Sequence, residues 1–142
     1  MKKTNNITLT VIAMLLTALF SYTTLSKMID YPLFTKQLRN SPLLGALSGV
    51  LAWLIPVVEL CAVILLIVPA WRRTGLLLSA VLMLTFTVYI GGMLLFFETL
   101  PCSCGGVFEQ MTWTQHLLFN IVFSLLALAG FILHKPNNIL SR

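Results

Sequence analysis

Residues 47–68 read LSGVLAWLIPVVELCAVILLIV, and this run decides the fold. It carries one charged residue, Glu59, and comes close to the roughly 20 residues that a helix needs to cross bilayer hydrocarbon. Backbone N–H and C=O groups in lipid must be satisfied within their own segment, so the run is expected to be a helix and not a strand. Three more apolar segments read the same way, at about residues 7–25, 76–97 and 113–133. Charges and prolines mark the breaks, at residues 27–42, Arg72-Arg73 and 98–112. The composition agrees. The chain is 58% hydrophobic and only 9% charged, against about 25% charged in an ordinary soluble domain. The expectation is an all-α protein: a four-helix transmembrane bundle forming one membrane domain over residues 1–142, with no internal repeat and no low-complexity tract.

The first segment, preceded by Met1-Lys2-Lys3, also opens like a secretory signal peptide. Its run is long, however, and ends in Ser21-Tyr22-Thr23-Thr24-Leu25-Ser26-Lys27 without an Ala-x-Ala site, so an uncleaved first helix is expected. Orientation follows the Lys and Arg count. With the N-terminus in the cytoplasm, the inner side receives Lys2, Lys3, Arg72, Arg73, Lys135 and Arg142, and the outer side Lys27, Lys36 and Arg39. Both termini are therefore expected in the cytoplasm of a bacterium, with the chain in its inner membrane and the 98–112 loop facing the periplasm. The net charge of +5 is scattered over the polar segments and gathers on no single face, so nucleic acid is not an expected partner. Residues 31–44 interleave polar residues with Leu33, Phe34, Leu38, Leu43 and Leu44. Either a short amphipathic helix at the outer interface or a plain loop fits that pattern.

The outer loop contains Pro101-Cys102-Ser103-Cys104-Gly105-Gly106. A disulfide requires alpha carbons about 4.4–6.8 Å apart, which two residues separated by one can reach only where the chain bends. Gly105-Gly106 supplies permissive backbone just beyond. Closing so small a loop removes little entropy, so a structural staple is not expected. A strained, easily reduced bond suits exchange, and an oxidising compartment sustains it. Two free thiols in a turn is the plainer alternative. A Cu(I) or Zn(II) site would need further ligands, and His116 is the only one nearby. Cys61, inside the second span, reads as a buried small hydrophobe.

Glu59 is costly at membrane depth and should face the bundle interior beside a partner. Pro56, three residues earlier, loosens the backbone there. Glu59 either has a functional role or forms a structural pair with Lys27 reaching in from the end of the first span. In the fourth span Trp113, His116, Asn120 and Ser124 recur at three- and four-residue steps and so share a helical face. His116 lies about one turn from the cysteine loop, where an imidazole either tunes a thiolate or shuttles a proton. The other reading is that His116 and Asn120 tie helices together through hydrogen bonds worth about 0.6–2 kcal/mol each. Thr85, Thr87 and Tyr89 read as packing and hydrogen-bonding residues, and Arg72-Arg73 as topology anchors only.

Taken in order, Ser26-Lys27, Ser41-Pro42-Leu43-Leu44, Pro56-Val57-Val58-Glu59-Leu60, the cysteine-glycine block and the Trp113–His116–Asn120 face resemble the MauE/DoxX-type redox-associated membrane proteins. The resemblance covers nearly the whole chain. It implies a MauE-like protein tied to maturation of methylamine dehydrogenase, acting in disulfide formation or transport beside a periplasmic thioredoxin-like or disulfide-containing partner. Cys102 and Cys104 would then be the redox site, with Glu59 and His116 in support. Nothing else in the chain points to methylamine. No residue pattern demands a cofactor. A thiol oxidase feeding electrons to quinone would be the most active form of the idea, but such enzymes usually show two cysteine pairs, and here Cys61 is the only thiol beyond the pair. The expected function is thus disulfide exchange with a periplasmic partner. The rivals are a non-enzymatic assembly factor and a small-solute transporter built around Glu59.

Overall fold

A computed structural model describes residues 2–97 and 112–134. These residues form five α-helices: α1 (Lys2–Ile29), α2 (Tyr31–Asn40), α3 (Ser48–Ile67), α4 (Arg72–Phe96) and α5 (Trp113–Leu133). Single 3₁₀ turns at Gly45–Leu47 and Pro69–Trp71 lead into α3 and α4. No strand occurs among the described residues. Four of the helical stretches are long and apolar enough to cross a membrane: Lys3–Ile29, Gly45–Ile67, Pro69–Phe96 and Trp113–Leu133.

The chain itself sets the breaks. Pro32 sits in the first turn of α2, where its missing N–H costs nothing. After Asn40 the chain turns, with the Gly45 N–H bonded to the Ser41 carbonyl at 2.9 Å. A side chain at Gly45 would meet the Arg39 carbonyl oxygen at 2.8 Å, so only glycine fits. Pro69 follows the end of α3, and the Arg72 Nε–H donates to the Leu66 carbonyl at 3.2 Å. Arg73 stacks over the Phe131 ring, 5.0 Å from its centroid. These arginines therefore cap α3 and brace α5, beyond the topological role read from the sequence. α5 starts at a capping box: the Gln115 N–H donates to Thr112 Oγ1 at 3.2 Å, and the Thr112 N–H donates back to Gln115 Oε1 at 3.1 Å.

The packing is inverted relative to a soluble bundle. α1 packs on α3, α3 on α4, α4 on α5 and α5 on α1, closing a ring of four helices, with α2 laid against α3. The short connection from Ile67 to Arg72 makes α3 and α4 antiparallel neighbours. Large apolar side chains point outward, Leu95 and Phe96 among the most exposed, while Glu59, Ser79, Asn120 and Ser124 are buried. Such a surface belongs in lipid.

Where helices meet, the residues are small. Ala62, Ala80 and Ala127 are fully covered within the main core, alongside Leu16, Phe20 and Leu66. At Gly75, a β-carbon would meet the backbone of Leu65 and Leu66 at 2.8 Å, which is how α3 and α4 come so close. With no apolar driving force between helices in lipid, such close contact is what holds them together.

One open alternative is decided and one expectation is overturned. The residue 31–44 connection contains a true helix, α2, whose Phe34 and Leu38 are buried against Ala52 of α3. Cys61 is exposed on the outer face of α3 and is not a core hydrophobe. The reason is angular: two residues along a helix rotate by about 200°, so a buried Glu59 turns Cys61 outward.

Gly75→Ala should lower the stability of the purified protein by about 1–3 kcal/mol through overpacking. Gly92→Ala, with open space around its β-carbon, should be neutral or stabilising by up to about 1 kcal/mol. Thermal unfolding in detergent compares the two. Equal losses would remove the close α3–α4 approach as a source of stability.

Candidate functional site

The site grows from Glu59. It lies on α3, one turn beyond Pro56, and is 1% exposed. Lys27, in the last turn of α1, places its ammonium 2.5 Å from Glu59 Oε1. Thr24, one turn earlier on the same face of α1, donates its hydroxyl to Glu59 Oε2 at 3.1 Å. Both carboxylate oxygens are therefore held, and by one neighbouring helix. The Lys27 ammonium also faces the rings of Phe34 and Phe86, 5.7 and 5.6 Å from their centroids. Attraction to aromatic faces supplements the ion pair where water is scarce.

Around this pair is a partly open cavity of about 110 Å³ lined by all five helices. From α1 come Phe20 and Thr23, and from α2 Phe34 and Gln37. α4 supplies Phe86 and Tyr89, and α5 supplies Trp113, His116 and Asn120. Tyr89 is tied by a 2.7 Å hydrogen bond to Ser41 at the end of α2, so α2 is pinned to α4 over the cavity. On α5, Asn120 donates its amide to the His116 carbonyl at 3.2 Å, and the Trp113 and His116 rings lie 6.5 Å apart. Below them Ser124 and Thr87 share a 3.2 Å hydrogen bond between α5 and α4.

Glu59 and His116, expected from the sequence as functional groups on separate spans, thus line one cavity. Cys102 and Cys104 lie outside the described residues. Their connector runs from Phe97 to Thr112, the ends of α4 and α5 nearest the cavity-lining residues Tyr89 and Trp113. The sequence reads Lys27 as a structural partner of Glu59 and not as part of a cavity, and the hydrogen-bonding role expected of Tyr89 is met by Ser41. Thr24, Phe34 and Phe86 were not anticipated. The three-residue step from Thr24 to Lys27 was the available signal, since it puts a donor and a cation on one face. Among the described residues no three His, Cys, Asp or Glu side chains gather as metal ligands.

The four apolar helices and their inverted packing define a multi-pass membrane protein. A family model for methylamine utilisation protein MauE matches residues 5–133, nearly the whole chain, and the protein belongs to that family. The family matched is MauE, the first of the two named in the resemblance. No curated protein and no solved structure matches the chain.

Breaking the ion pair leaves an uncompensated buried charge. Lys27→Met or Glu59→Leu alone should cost roughly 3–5 kcal/mol, whereas the double variant should recover much of that loss. Denaturation of the three variants in one detergent measures the coupling. Additive losses would show that the two side chains are held independently.

Proposed function

We propose that this MauE-family protein exchanges disulfides through Cys102 and Cys104 on the periplasmic side of a bacterial inner membrane, serving a thioredoxin-like or disulfide-containing partner. One observation carries the reading. The connector holding both thiols springs from the same ends of α4 and α5 whose side chains line the cavity. Cys104 precedes Thr112 by eight residues in the chain, a span of up to about 26–29 Å when extended. The thiols are thus tethered to the cavity while keeping reach toward a soluble partner. The Lys and Arg distribution supports the outward orientation.

The chemistry is an exchange. A thiolate of one dithiol attacks the disulfide of the other, a mixed disulfide forms, and the remaining thiol resolves it, so two electrons and two protons pass between the pairs. His116 is the group placed to take up or return a proton, because it stands in the second turn of α5 and lines the cavity. Glu59 serves as a positioning residue. Its carboxylate is occupied by Lys27 and Thr24, which suits fixing α1 against α3 better than binding a transported solute. The family description links the chain to methylamine utilisation, and no residue of the site points to an amine substrate.

The test is a trap. In cells grown aerobically, acid-quenched thiol labelling should find the pair at least partly oxidised. Either Cys102→Ser or Cys104→Ser should capture a periplasmic protein as a mixed disulfide, and a membrane-impermeant maleimide should label the reduced thiols in intact spheroplasts. Full function in the double Cys102→Ser, Cys104→Ser variant would leave an assembly factor in place of a redox protein. Labelling only after lysis would reverse the orientation.

A further inference from the structure

The cavity has a chemical character of its own. Its one ionised pair is neutralised internally, since Glu59 takes a Lys27 N–H at 2.5 Å and a Thr24 hydroxyl at 3.1 Å. An incoming ion would add a net charge to this neutral pair at membrane depth, where an uncompensated charge is most costly. That favours a neutral occupant. The walls are largely aromatic and aliphatic, with Phe20, Phe34, Phe86, Phe119 and Ile90 among them. Donors sit among these walls: the Lys27 ammonium, only one of whose three N–H groups goes to Glu59, and the Trp113 indole, which can only donate. A complementary ligand is lipophilic, flat and equipped with carbonyl oxygens. The cavity holds about 110 Å³, less than the roughly 150 Å³ closed apolar cavity that accepts benzene, so a ring would be enclosed only in part, with the rest in the open side.

We infer that the cavity binds the carbonyl ring of a membrane quinone, its face against the aromatic wall and an oxygen toward Lys27. The inference deepens the disulfide-exchange reading and rests on it for the source of electrons. The reduced Cys102–Cys104 dithiol loses two electrons and two protons as its S–S bond forms. The quinone gains both, its two C=O groups becoming the two O–H groups of the quinol. The chain has one cysteine pair, so in this reading the dithiol reduces the ring directly, without a second pair as relay. Cys61, turned toward lipid, is not needed as a relay.

The experiment uses the full chain in phospholipid nanodiscs with two probes, decylubiquinone and menadione, and follows quenching of tryptophan fluorescence. Saturable binding is expected. It should weaken about tenfold or more, the loss of roughly one good hydrogen bond or ring contact, in His116→Phe, which fills the cavity. The same loss is expected in the paired variant Lys27→Met with Glu59→Met, which removes the donor without stranding a charge. Thermal unfolding confirms that both remain folded, and Trp53→Phe, on the outer face of α3, should leave binding unchanged. Quenching that never saturates, that is equal in the cavity variants, or that palmitate or dodecyltrimethylammonium abolishes as readily as menadione would overturn the assignment. The double Cys102→Ser, Cys104→Ser variant separates the two readings: it should bind quinone normally but form no quinol. Saturable binding without thiol-dependent quinol formation in the wild type would sink disulfide exchange with quinone as acceptor and leave the cavity assignment standing. Mixed-disulfide capture without quinone binding would do the reverse.

Discussion

A single ion pair inside the bilayer organises this molecule. Glu59 cannot remain charged in the middle of α3 unless something meets it. Lys27 and Thr24 do so from the end of α1, thirty-two and thirty-five residues away in the chain. That requirement fixes the rotation of both helices. It sets the face of α3 that turns inward, so Ala62, Val63 and Leu66 follow Glu59 into the core at helical spacing. It also brings the end of α1 under α2, whose Phe34 covers the ammonium. The cavity exists because these elements converge on two long polar side chains and are completed by aromatic rings, which leave gaps that aliphatic packing would close.

Much of the architecture was legible in hydropathy alone. The four spans, the breaks between them and the all-helical class follow from apolar runs that have one stable backbone solution in lipid. The ends were not legible. α1 runs from Lys2 to Ile29, beyond the 7–25 segment, and α4 begins at Arg72, before residue 76. Hydropathy measures where lipid begins, while a helix continues as long as its backbone bonds continue. The Thr112–Gln115 capping box is the exception, because its two residue types at that spacing specify a start.

The site was legible in pieces. Glu59 and His116 stand out because polar groups are rare in such segments, and the structure places both at one cavity. Their convergence depends on which helices are neighbours, and single-span periodicity carries no such information. Tyr89 bonds to Ser41 across forty-eight residues, a pairing that no local pattern announces. Cys61 is the reverse case. Once Glu59 is turned inward, the rotation of the helix decides the orientation of Cys61, and the sequence already contained that answer.

The capping box at the head of α5 has a wider consequence. Thr112 and Gln115 satisfy each other's backbone donors, so α5 begins on a cap built from its own first residues. On the other side, α4 closes with the Phe97 N–H on the Met93 carbonyl. The two helices flanking the cysteine-bearing segment are thus each finished locally. This gives evolution a seam: the segment between them can be lengthened, rewritten or exchanged while the helices on either side keep their ends.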